Sequence, residues 1–314
     1  LYIRRKIVIF AQNKNMSTKT KGIIFGIIAA VCYGANPLGV LFLYKESLNT
    51  VSTVFYRYFM AVLMLAVALV LKGENFKITK RELGVSALLG VFFGISSLAL
   101  YASFNYTDAG VASTILFCYP VMVSVIMAVF FHEKVSLTTV AALLLSSGGI
   151  LLLSKGGGNV SMTGVLLVVL SSLSYAIYIV AVNRMKVKIS NVKLTFFITL
   201  FATPMFVLYS FFGEGNALQI LPNMTAVFWA VFLGFFPTVL SLVFMNVSIK
   251  LAGSTPAAVT GALEPVTAVI IGVCVFGEAF SLKLLCGILL ILSAVLLINF
   301  SMTKDTQNSN GNAA

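Results

Sequence analysis

Charge, histidine and soluble loops are all scarce in this chain. Of 314 residues only 10% are charged, with nine acidic ones, against roughly a quarter charged in soluble domains. So few charges cannot clothe a water-facing surface of this size. One histidine, His132, excludes a multi-histidine metal centre. The four cysteines, Cys32, Cys118, Cys274 and Cys286, lie inside apolar runs without CxxC spacing, so they read as small buried residues and not as a disulfide or zinc framework. No Walker motif or other nucleotide-cradling glycine loop is present, which excludes ATP drive from within the chain. No metal or cofactor is implied.

What is abundant is apolar: 60% of the residues, with a mean hydropathy of +1.04. The expectation is an all-α integral membrane protein. Ten runs approach the roughly 20 residues that a 30 Å hydrocarbon layer requires: 22–43, 51–71, 83–104, 109–131, 137–154, 163–182, 194–212, 224–249, 256–277 and 282–300. Net charge +12 would suggest nucleic acid in a soluble chain, but here 17 of the 21 basic residues fall in the tails and alternate loops. That is the positive-inside pattern, with both termini cytoplasmic and the protein in a bacterial-type inner membrane. Residues 1–21 form a basic cytoplasmic arm, whose first 15 residues are either an interfacial segment or dispensable before Met16. Residues 301–314 read as a disordered tail.

The chain is written twice. "CYPVMVSVIMAVFFHEKVSL" carries Pro120, Glu133 and Ser136-Leu137; "EPVTAVIIGVCVFGEAFSL" carries Pro265, Glu278 and Ser281-Leu282, all at one offset of 145. Nearer the start of each half an offset of 142 pairs Gly22 with Gly164 and Tyr33 with Tyr175. Residues 22–155 and 163–300 are thus two five-helix repeats, and an odd helix count turns the second upside down relative to the first. On these motifs, and on an arginine, Arg57, in the second span, the chain resembles the EamA-type branch of the drug/metabolite transporter superfamily. It departs from that family's pattern at His132, where glycine is commoner, and at Thr199, the counterpart of Arg57.

Glu264 falls near mid-bilayer directly before Pro265. A charge is costly at that depth and a proline frees backbone carbonyls, so the pair calls for a partner, a proton or a water-filled cavity. Its helix carries a polar stripe of Thr260, Glu264 and Thr267. Others have Tyr33 and Asn36; Ser97, Tyr101 and Asn105; Tyr175 and Tyr178; Thr238, Ser241 and Ser248. Polar faces on so many spans converge on a central cavity, although each hydroxyl alone is equally an interhelical hydrogen bond. Pro120 and Pro265 are expected helix kinks and Glu264 a proton-coupling group. Arg57 is expected to snorkel outward or pair with a carboxylate. Glu133 and Glu278 are expected to cap the hairpins into the fifth and tenth spans. Gly22/Gly26 and Gly90/Gly94 are small-residue faces for close helix contact.

The resemblance implies a secondary transporter that alternates access to a pocket between the repeats and exports small metabolites such as amino acids, as a monomer or homodimer. A neutral, aromatic lining suits neutral or aromatic cargo, and a single mid-depth arginine disfavours phosphorylated cargo. Proton coupling, exchange and facilitated diffusion all remain open, as do multidrug, sugar and nucleotide-derivative cargo. A membrane-embedded enzyme lacks a nucleophile and base, and a scaffold lacks a soluble domain.

Overall fold

The computed structural model describes residues 18–132, 137–154, 160–185, 189–212, 215–252 and 260–311; Glu133, Lys155 and the basic arm up to residue 17 lie outside them. The described chain is helical, with one isolated bridge between Thr107 and Val160. In order come α1 (Thr18–Gly34), α2 (Asn36–Lys45), α3 (Thr50–Leu71), α4 (Lys80–Ser103), α5 (Ala109–Leu116), α6 (Tyr119–Phe131), α7 (Leu137–Ser154) and α8 (Met162–Met185). They are followed by α9 (Asn191–Tyr209), α10 (Met224–Gly234), a π-helical turn Phe235–Leu240, α11 (Ser241–Ala252), α12 (Leu263–Phe276) and α13 (Leu282–Gly311).

Among the described residues seven stretches are long and apolar enough to cross a bilayer: Thr18–Lys45, Thr50–Leu71, Lys80–Ser103, Ala109–Phe131, Met162–Val182, Asn191–Tyr209 and Met224–Met245. Shorter apolar helices, Val140–Leu153, Leu263–Phe276 and Leu282–Leu297, lie where sequence hydropathy puts the remaining three. On α3 the exposed side chains Phe59, Leu63, Val67 and Val70 recur every three to four residues, while Val54, Arg57, Tyr58, Ala61, Leu65 and Leu69 are buried. The outward stripe is wholly apolar, as a lipid-facing surface must be. Beyond residue 301, where composition predicts disorder, α13 instead continues to Gly311. Residues 301–310 contain neither proline nor glycine to stop it.

The halves interlock instead of standing apart. The pairs α1–α11, α4–α8, α3–α9, α7–α13, α5–α12, α4–α9, α3–α10, α6–α8 and α1–α12 all cross residue 155. The small-residue faces serve these crossings: Gly22 meets Ala252, Gly26 meets Ser248 and Thr260, Gly90 meets the Ile198 carbonyl, and Gly94 meets Met205. Both motifs are consumed inside the monomer. At one end of the bundle, here called distal, the Asn49 amide nitrogen donates to the Gly215 and Ala217 carbonyls, at 2.8 and 2.7 Å, while its oxygen caps α3 through the Ser52 N–H. At the opposite, terminal end Lys193 donates to Asn75 and to the Lys77 carbonyl.

Glu278 corrects an expectation. It does not cap α13; Ser281 does, accepting from the Leu284 N–H at 3.1 Å. The Glu278 carboxylate reaches across the halves and accepts the Ala109 and Gly110 N–H groups at 2.6 and 3.0 Å, closing the positive end of α5. A side chain on Gly272 would occupy the same space.

Candidate functional site

Three of the long stretches are interrupted or change helical form near their middles, α12 starts after a turn, and proline stands at each of these places. α1 stops at Gly34 and α2 restarts at Asn36-Pro37; α5 stops at Leu116 and α6 restarts at Tyr119-Pro120; α12 begins around Glu264-Pro265 after a turn at Ala262; and Pro237 sits in the π turn. Proline suits a first turn, where its missing N–H is not needed. Pro120 and Pro265 lie in the first turns of α6 and α12, beside these interruptions. The residue preceding each of these first-turn prolines, Asn36, Tyr119 and Glu264, lines one small void together with Tyr33, Tyr175 and Ser113.

A second void is lined by Tyr33, Arg57, Phe93, Tyr175, Tyr178 and Thr238. Each has a volume of about 20 Å³, room for a water and not for a metabolite. Tyr33 and Tyr175, paired by the internal repeat, wall both. Tyr119 edges Tyr175 at 4.7 Å between ring centroids, and Tyr178 stacks on it at 5.6 Å.

Arg57 does not snorkel. It is 1% exposed, and its Nε donates to the Thr238 hydroxyl at 2.9 Å while Nη1 donates to the Tyr101 hydroxyl at 2.8 Å. The guanidinium also lies over the Tyr58 and Tyr101 rings, at 5.6 and 5.4 Å from their centroids. Arg57 sits on the buried stripe of α3 between Val54 and Ala61, so its side chain points into the bundle. The π turn explains Thr238: its hydroxyl donates to the Leu233 carbonyl five residues back, at 3.0 Å, leaving its oxygen towards Arg57. Tyr101 in turn donates to Asn36 Oδ1 at 2.9 Å. Among the described residues no carboxylate pairs with Arg57, and none of the hydrogen bonds there reaches the Glu264 carboxylate.

The remaining expected residues divide. Tyr33, Asn36, Tyr175, Tyr178, Thr238 and Glu264 line the voids, and Tyr101 stands between them and the distal end. Ser97 instead bonds the Tyr58 hydroxyl at 2.6 Å. Thr267 donates to the Leu263 carbonyl at 2.8 Å and packs on Gly34. Thr260 packs on Gly26, and Ser241 is buried outside both voids. Thr199 donates to the Thr195 and Phe196 carbonyls of its own helix. Sequence reasoning passed over Tyr119, although the offset of 145 pairs it with Glu264, and underrated Arg57.

Above the centre a cavity of about 900 Å³ opens at the distal end, lined among others by Tyr44, Lys45, Asn105, Asp108, Phe276 and Glu278. Burial pushes the Glu278 carboxyl above the usual carboxylate range, against the pull of its two N–H donors. The Tyr44 hydroxyl donates to the Tyr101 carbonyl at 2.7 Å, so Tyr101 forms part of the floor between vestibule and voids.

Helices with an apolar outward stripe around a polar, aromatic centre, with a vestibule at one end, define a multi-pass membrane protein. The EamA-like transporter family matches twice, over residues 20–155 and 162–300, and the chain belongs to that family. An uncharacterized transporter of Archaeoglobus fulgidus is 26% identical over 210 residues, covering 67% of this chain and 74% of that protein. One solved crystal structure, whose description names no function, superposes with a TM-score of 0.63 at 15% identity, covering 89% of this chain and 96% of its own. At that identity the likeness speaks for the fold alone.

Proposed function

We propose that the protein is a secondary transporter of small zwitterionic metabolites, amino acids foremost, which it exports by alternating access between two inverted five-helix repeats spanning the membrane ten times. The helix pairings support the repeat. If each rod is exchanged for its counterpart, α1–α11 becomes α4–α8, α3–α10 becomes α4–α9, and α6–α8 becomes α1–α12, while α3–α9, α5–α12 and α7–α13 map onto themselves. The basic loops put the terminal end in the cytoplasm, so the vestibule faces outward.

One observation carries the substrate class. An acidic group, Glu264, and a basic one, Arg57, lie inside the bundle, neither paired with the other, on two voids that share Tyr33 and Tyr175 as walls. A buried charge without a partner is costly, and a ligand bearing both signs would satisfy both. The ammonium goes to Glu264 and the acid end to the Asn36–Tyr101–Arg57 chain, with an apolar or aromatic side chain against the tyrosines. Movement of Tyr33 and Tyr175 merges the voids. Coupling follows if Glu264 exchanges a proton for the ammonium, so Glu264→Gln removes the dependence on a pH gradient.

A thermal-stabilisation screen tests the class. Amino acids are expected to raise the melting temperature more than the matching amines or carboxylic acids, because only they satisfy both charges. Equal stabilisation by the amine and the amino acid would refute the reading.

A further inference from the structure

Resting on the zwitterion reading, we propose that Asn36 is a specificity-determining residue: its amide nitrogen donates a hydrogen bond to an oxygen on the acid end of the substrate. Asn36 is 3% exposed and lines the void that holds Glu264. Its Oδ1 accepts from Tyr101, and its Nδ2 is buried with no partner among the described residues. Buried donors in native proteins are nearly always satisfied, so this one is waiting for an acceptor.

The direction of the amide follows from counting donors. Arg57 can only donate, so the Tyr101 oxygen accepts from it, and the single Tyr101 proton must go elsewhere. It goes to Asn36, which has to present Oδ1 to receive it. Nδ2 is thereby left over on a residue that lines the Glu264 void. The surroundings favour an acceptor with negative charge. Asn36 opens α2, and the same void receives the first turns of α6 and α12 through Tyr119, Glu264 and Pro265. Three helix N-termini bring their positive ends to one place. Glu264 holds the neighbouring ammonium, and the acid oxygen beside it falls to Asn36.

The assignment makes a prediction that charge pairing alone does not. Asn36 requires an oxygen, not a negative charge, so an amino-acid amide keeps this contact and a decarboxylated amine loses it. The test measures binding of phenylalanine, phenylalaninamide and phenethylamine to the purified full chain through the fluorescence of its single tryptophan, Trp229. Asn36→Asp keeps an acceptor for Tyr101 and deletes the donor. It is expected to weaken the amino acid and the amide by about ten- to a hundredfold without weakening the amine. Asn36→Ala, uncharged and without any side-chain donor, is expected to give the same selective loss, which separates a missing donor from an added charge. Variants that weaken all three ligands equally, or none, overturn the assignment while leaving the zwitterion reading in place. A wild type that binds none of the three overturns both.

Discussion

Replacing Glu278 should loosen the joint between the halves, and the size of the effect can be worked from its contacts. The carboxylate accepts two backbone N–H groups of α5, at 2.6 and 3.0 Å, and Asp108, at the cap position, makes no side-chain cap bond. Hydrogen bonds to a charged group are each worth about 1.5–3 kcal/mol. The vestibule admits water, which replaces part of the loss, so Glu278→Ala is expected to cost about 2–4 kcal/mol. At roughly 2 °C per kcal/mol for a chain of this size, that is about 4–8 °C in apparent melting temperature. Glu278→Gln keeps one acceptor oxygen but sets an NH₂ against the second N–H, and should lose about half as much. The assay is thermal unfolding in detergent, followed by Trp229, whose ring stacks on Phe42 at 4.4 Å beside the Phe42–Phe276 contact at the same end. An alanine variant that melts with wild type, or a glutamine variant worse than alanine, would refute the reasoning.

Other outcomes follow from the same geometry. Gly34 faces the Glu264 carbonyl and the Thr267 side chain so closely that any side chain collides; Gly34→Val should cost about 1–3 kcal/mol in a chemical-denaturation series. His132 has φ 53°, the left-handed conformation also adopted by Gly277 at φ 70°, so His132→Gly should stabilise by about 0.5–1 kcal/mol, read as a higher melting temperature. Thr238→Val removes the acceptor for Arg57 Nε; flux should fall about tenfold or more, while the purified yield stays within twofold of wild type.

The fold was legible in the sequence because membrane physics simplifies it: apolar runs of bilayer length and one motif written twice leave few alternatives. Tyr33, Tyr175 and Glu264 were legible for the same reason, being polar groups at matching depth in apolar helices. What could not be read was direction. Arg57 in a line of apolar residues is compatible with snorkelling until the π turn at Phe235–Leu240 is seen to aim Thr238 at it. Glu278 sits in a hairpin and caps a helix some 170 residues away in sequence (|i−j| = 169 and 168), a pairing that no local spacing reveals. Ser97, Thr260 and Thr267 show the converse: a polar stripe has the same spacing whether it lines a void, meets a neighbouring helix or bonds its own.

The central claim is that an interior acid, Glu264, and an interior base, Arg57, not paired with each other, are both engaged by one dipolar substrate. Its most direct measurement is counterflow of a radiolabelled amino acid, identified by the stabilisation screen, into proteoliposomes containing wild type, Glu264→Gln or Arg57→Met. Uptake by wild type that is competed by unlabelled amino acid but not by the matching amine, and that falls at least tenfold in both variants, is the expected result. Unchanged uptake in either variant, or equal competition by the amine, would contradict it.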